Sequence, residues 1–286
     1  MRRALSLIVF LACAAACADK QIIGTDHPEA SPWPKDFPMA VVVERNPWAM
    51  MIGADSPRVL LFPDGTLIRA DANDRNTVFS TARLTVDELA RVRTAMGKAE
   101  DFQHLKDEYN TAPGVSDLPS VEIVRYEKPF SKKVDVYGYV SGFVPTPAVT
   151  RVPTAEKADV VPKEFDRAYK VLTDLHPKNS TRWVPRWAEV IVWPYEYAPD
   201  ESLPWPTGWP DLRSKFAVQD QNDSYSLILA GTEIQNLEQF LASRREKQAI
   251  LISGRKWAVT WRPVTPGGRM ARLVDEITRR HPAAPN

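Results

Sequence analysis

The sequence predicts an α+β protein: antiparallel sheets flanked by three to four helices, arranged as two subdomains. Three observations lead there. Short β-branched runs recur along the chain, punctuated by Pro, Gly and Asp turn signals. Amphipathic stretches at helical spacing lie between those runs. With 286 residues, 44% hydrophobic and 26% charged, the chain is long enough for two average cores and too apolar to be disordered throughout.

The chain opens on what reads as a leader, residues 1–18. Met1-Arg2-Arg3 is basic, Ala4 to Ala16 carries no charge, and Leu5, Leu7, Ile8, Val9, Phe10 and Leu11 form its apolar centre. Small residues follow at Ala14-Ala15-Ala16-Cys17-Ala18, completing the pattern of a secretory signal peptide. The run falls short of the ~20 apolar residues that span a bilayer. Two cleavages compete. One follows the small-x-small site Ala16-Cys17-Ala18. The other falls before Cys17 and makes it a lipidation site, which gives a use to an otherwise unpaired thiol in an oxidising compartment. The segment resembles a bacterial lipoprotein signal, with Ala14 where that pattern carries Leu. The expectation is an exported cell-envelope protein, membrane-anchored through lipid on Cys17, or else periplasmic or secreted. The only other Cys, Cys13, also lies in the leader, so the mature chain has no disulfide.

Loss of Arg2 and Arg3 takes the 37 basic residues to 35 against 36 acidic, a balance of −1. No whole-molecule charge favours nucleic acid.

Residues 19–38 are polar and Pro-rich and read as a tether or a frayed terminus. The first subdomain, 39–178, begins with a strand at Ala40 to Glu44. Val59 to Phe62, Pro63-Asp64-Gly65 and Thr66 to Arg69 predict a hairpin, because Pro pre-sets one turn angle and Gly supplies a positive φ. Val78 to Thr81 is a fourth strand. Thr85 and Glu88 predict a capping box opening a helix over 86–98, with Leu89, Val92 and Met96 as its apolar stripe. Residues 101–118 read as a long loop. Val121 to Tyr126 predicts a strand covered on both faces, paired through a turn at Pro129 with Lys133 to Tyr139. Ser141 to Val161 reads as irregular. A helix over Lys163 to Leu175 buries Phe165, Ala168, Tyr169, Leu172 and Leu175, and His176-Pro177 ends it.

The second subdomain, 179–286, starts with a Trp/Pro-rich stretch, 183–210, around a strand at Ala188 to Trp193. A strand at Ser224 to Leu229 comes next. Thr232 and Gln235 predict a second capping box, opening a helix that presents Ile234, Leu237, Phe240 and Leu241. Ala249 to Ile252, Ser253-Gly254 and Lys256 to Arg262 predict a hairpin with Trp257, Val259 and Trp261 on one face. A last helix carries Met270, Leu273, Val274 and Ile277. Arg279, Arg280 and His281 lie at its negative end, and Pro282 stops it. Both halves can be written strand, capped helix, hairpin, helix, so a duplication is conceivable, although their residues do not align.

No motif of a zinc protease, a nucleophile elbow or a phosphate loop is present. The four His (27, 104, 176 and 281) are scattered, and with the Cys count they give no basis for a metal or other cofactor. The acidic runs Asp71 to Asp74 and Asp220 to Asp223 lack the Gly and closing Glu of a calcium loop. Asp200-Glu201 could be half of an acid/base pair, or simply two solvated loop acids. The candidate binding residues are Trp183, Trp187, Trp193, Tyr195, Tyr197, Trp205 and Trp209, interleaved with Pro. Such rings either stack on a glycan or Pro-rich peptide, or wedge a long loop onto the core.

Phe62-Pro63-Asp64-Gly65-Thr66, Leu84 to Leu89, Ser116-Asp117-Leu118-Pro119, Val136-Tyr137-Gly138, Trp187 to Tyr197 and Lys256 to Val259 together resemble uncharacterised secreted or lipoprotein families of bacteria. The resemblance implies export and an α+β fold, and no reaction, cofactor or catalytic residue. The function expected is non-catalytic: a binding or structural envelope protein. The alternatives are an aromatic-lined binding module for cell-wall glycan or peptide, and a hydrolase whose acidic pair sequence does not reveal.

Overall fold

A computed structural model describes residues 37–47, 55–72, 77–139, 157–220 and 223–280. The leader with Cys17, the tether as far as residue 36, Asn73-Asp74, 140–156 and His281-Pro282 lie outside them. The fold is α+β with two multi-stranded sheets.

The first sheet contains β1 (Ala40–Arg45), β2 (Pro57–Leu61), β3 (Thr66–Ala72), β4 (Thr77–Arg83), β5 (Glu108–Asn110), β6 (Ser120–Glu127), β7 (Phe130–Tyr137) and β8 (Thr181–Arg182). Their order is β5-β7-β6-β1-β2-β3-β4-β8. Only the β5–β7 pairing is parallel. The β2–β3 hairpin closes as its turn residues dictate. Asp64 Oδ1 accepts from Thr66 N (2.9 Å), and Gly65 sits at φ 86° with the Leu84 carbonyl 2.6 Å from where a Cβ would lie.

Three helices cover one face of this sheet: α1 (Val86–Met96), α2 (Ala99–Gln103) and α3 (Lys163–Thr173). Both halves of the Thr85/Glu88 capping box form, and Glu88, held by the Thr85 backbone N–H, titrates below its ordinary range. Leu89, Val92 and Met96 of α1 join Phe165, Ala168, Tyr169 and Leu172 of α3 over Val42, Val59, Leu61, Ile123 and Val134. Leu175 lies beyond the helix end but still packs on this core. The stretch 101–118 is less loop-like than expected. Residues 99–103 make a short helix that buries Phe102, and β5 joins the sheet edge. A five-residue helix is too short to show a period.

The second sheet contains β9 (Trp187–Pro194), β10 (Leu203–Pro204), β11 (Ala217–Gln219), β12 (Tyr225–Ala230), β13 (Ile250–Ile252) and β14 (Arg255–Pro263), in the order β10-β13-β14-β9-β12-β11. Helix α4 (Ile234–Ala242) packs on one face with Val190, Leu229 and Trp257, and α5 (Arg269–Arg280) on the other with Trp187 and Ile228. The Ser253-Gly254 turn has both φ values positive, as a two-residue hairpin demands. The capping box expected at Thr232/Gln235 does not form. Residues 231–233 make a 3-10 turn, and α4 starts behind Glu233 without a side-chain cap. The cause is tertiary: Gly231 is pressed on the Pro185 carbonyl and donates to Arg186 O (2.8 Å).

The two halves differ in strand order. The helices share one face in the first half and lie on opposite faces in the second, so the architecture is not a duplication. The strand Thr181–Arg182, placed with the second subdomain by the sequence, hydrogen-bonds to β4 in the first sheet. Trp183, directly after it, packs with Leu60, Phe62, Ile68 and Phe79 on the outer face of that sheet, and Trp261 of β14 closes the same cluster. The sheets therefore share an apolar seam.

Candidate functional site

Beside this seam lies a cleft of about 900 Å³. One wall is Val43 and Arg45 at the end of β1, with Asp55 and Pro57; the other is the half of the second sheet that α5 leaves uncovered. Strand periodicity puts Glu189, Ile191 and Trp193 of β9 on that face. Arg262 of β14 lies directly opposite Glu189, and Ser226 of β12 directly opposite Ile191.

Glu189 is the deepest charge, 4% exposed. Arg262 Nε donates to its Oε2 (2.7 Å), and Ser226 Oγ lies 2.8 Å from its Oε1. The same hydroxyl lies 2.9 Å from Asp220 Oδ2, and Asp220 Oδ1 is 3.3 Å from the Arg269 guanidinium at the start of α5. A polar chain thus runs Arg262, Glu189, Ser226, Asp220, Arg269 across the cleft, with a cation at each end and a hydroxyl between the two carboxylates. Ser226 has one proton to give to two carboxylates, so it donates to only one of them at a time. At the opposite wall Arg45 is held by Glu122 (2.7 Å) and Asp135 (3.7 Å). Burial raises the Asp135 carboxyl above its ordinary range; Arg45 opposes the shift and Glu122 adds to it.

The seven aromatic candidates do not form one face. Trp183 and Trp187 are buried, in the seam and under α5. Trp205 and Trp209 pack edge-to-face with each other and with Phe240, acting as wedges over α4. Tyr195 and Tyr197 form a T-shaped pair beyond the strand end, with Tyr197 83% exposed. Of the seven only Trp193, 37% exposed, lines the cleft. Asp200 faces Arg245 at 3.9 Å, away from the cleft. His176 receives an N–H of Arg69 on Nε2 (2.9 Å), so that nitrogen is the acceptor and the cation at this helix end is Arg69.

Sequence reasoning missed Glu189, Ser226, Arg262 and Arg269, and saw Asp220 only as part of an acidic run. One signal was available. A single carboxylate inside the apolar strand Trp187–Pro194 needs a buried partner. Among the described residues no group of three or more His, Cys, Asp or Glu side chains is placed to hold a metal ion, and no helix is long and apolar enough to cross a membrane.

No family model, no curated protein and no solved structure matches the chain.

Proposed function

We propose that the protein is an exported, non-catalytic binding protein of the cell envelope, anchored through lipid on Cys17, with its ligand in the cleft between the two sheets. One observation carries the binding reading: both carboxylates flanking Ser226 already face a guanidinium, Glu189 that of Arg262 and Asp220 that of Arg269. Such pairing suits fixed recognition better than proton transfer. Export and anchoring rest on the leader composition and on the resemblance to secreted lipoprotein families. The near-zero charge balance supports a partner other than nucleic acid.

A hydrolase is the second reading. It is favoured by the approach of Glu189 and Asp220 to one hydroxyl in a cleft. Against it, Ser226 is 2% exposed, too enclosed to attack a substrate as it stands.

The test has two parts. Full-length protein made in a bacterial host should partition into the detergent phase of a Triton X-114 extraction, and Cys17→Ala should move it to the aqueous phase. A wild type found wholly in the aqueous phase removes the anchor. Incubation with cell-wall glycan and with peptides should release no new reducing ends or amines. A release abolished by Glu189→Gln would make the protein a hydrolase.

A further inference from the structure

We propose that the cleft takes a neutral saccharide of a few linked rings. The inference rests on the reading of this cleft as a ligand site, and three features of its lining select the ligand class.

The first is charge balance. Among the described residues the lining carries three guanidinium groups (Arg45, Arg262, Arg269) and three carboxylates (Asp55, Glu189, Asp220). They cancel, so neither an anion nor a cation gains a net field on arriving. Groups of both signs are nonetheless available as directional acceptors and donors, and a hydroxyl-rich ligand uses both. The single Ser226 proton between two carboxylates has the same consequence. A ligand hydroxyl placed beside Asp220 would give that carboxylate a proton, leaving the Ser226 proton for Glu189, and could accept from Arg269 through its own oxygen.

The second is the aromatic ring. Trp193 stands four residues along β9 from Glu189, about 13 Å at strand rise, with Ile191 between them on the same face. Polar groups at the deep end and a half-exposed indole at the mouth suit a molecule whose edges are hydroxylated and whose ring faces are apolar. The length between them exceeds one sugar ring, and a cleft of about 900 Å³ has the volume for several.

The third is what the floor lacks. Extended peptides are commonly recognised by adding a strand to an open edge. Here β9 is paired on one side with β12 and on the other with β14. The centre of the floor therefore offers side chains and no free main-chain ladder, the open edge β11 bordering the cleft only through Gln219, and this favours a saccharide over a peptide.

Isothermal titration of the full-length protein tests this with four probes. Two are neutral oligosaccharides, the N-acetylglucosamine tetramer and cellotetraose; the others are tetragalacturonate and an uncharged tetrapeptide. At least one neutral saccharide should bind and quench part of the Trp fluorescence. Trp193→Ala should weaken binding about five- to tenfold and remove the quenching. Asp220→Asn should weaken binding while leaving the melting temperature near that of the wild type. If only the peptide or tetragalacturonate binds, and Trp193→Ala weakens it, the neutral saccharide is wrong and the cleft remains a ligand site. If a saccharide binds equally well to both variants, it sits elsewhere and the proposal falls. If no probe gives heat or quenching, the saccharide proposal falls and the cleft reading falls with it.

Discussion

Two buried arginines supply the cations at helix C-terminal ends in the first half of this protein. Arg125, 3% exposed on β6, reaches the carbonyls of Met96, Gly97 and Lys98 where α1 ends, and Glu127 balances its charge. Arg69, also 3% exposed, does the same on β3 for the carbonyls of Thr173 and Leu175 after α3, with Asp71 as counter-ion. Each satisfies the orphan carbonyls of a helix end with charge-assisted bonds from the sheet beneath. Asp135 shows the opposite balance. Burial is the largest influence on its carboxyl and raises it above the ordinary 3.8, Arg45 lowers it, and Glu122 raises it further. The folded state therefore holds the proton more tightly than the unfolded chain does. Stability is lost as pH climbs from 3.8 through the raised folded value and regained on acidification. Asp135→Asn, which leaves Arg45 its bond to Glu122, should raise the urea midpoint at pH 7 and make no difference below pH 3.8. A lower midpoint at pH 7 would mean that the Arg45–Asp135 attraction outweighs the burial.

At the scale of elements, sequence was legible where the determinants are local. The Pro63-Asp64-Gly65 turn, the Thr85/Glu88 box and the stripe of α1 are each set within a few residues, and each forms. Pairings across the chain were not legible. β1 lies between β2 and β6, and Ala40 faces Arg125, with nothing in either segment to specify the other. The cleft was hidden for the same reason: Glu189 signals that it needs a partner, but Arg262 is 73 residues away. At Gly231 a tertiary contact overrode a local signal. A Cβ there would lie 1.9 Å from the Pro185 carbonyl oxygen, so the chain turns as a 3-10 segment and α4 begins later than its sequence suggests. Gly231→Ala should cost about 3 kcal/mol, read from urea unfolding, because main chain and not a flexible side chain must give way. If the loss is below about 0.5 kcal/mol, local propensity and not the Pro185 contact sets the start of α4.

For the molecule as a whole, the decisive question is whether two sheets without a disulfide unfold as one unit. The seam argues that they do. Trp183 lies between the last strand of the first sheet and the first strand of the second, is 3% exposed, and meets Phe79 edge-to-face at 5.8 Å. Trp261 brings β14 to the same cluster, so the seam is built from both sides of the chain crossing. Truncating a buried Trp removes its apolar contacts and leaves a cavity, at about 3–5 kcal/mol. Trp183→Ala removes that amount from the contact between the halves as well as from the first sheet. Wild type should therefore melt in a single transition, coincident by far-ultraviolet circular dichroism and by fluorescence. Trp183→Ala should melt earlier and in two steps. Trp187 supplies the control: it is equally buried, but under α5 within the second half. Trp187→Ala should cost a similar amount and keep one transition. If both variants keep a single transition, cooperativity comes from elsewhere than the seam. If wild type already melts in two, the halves unfold independently and the seam does not couple them.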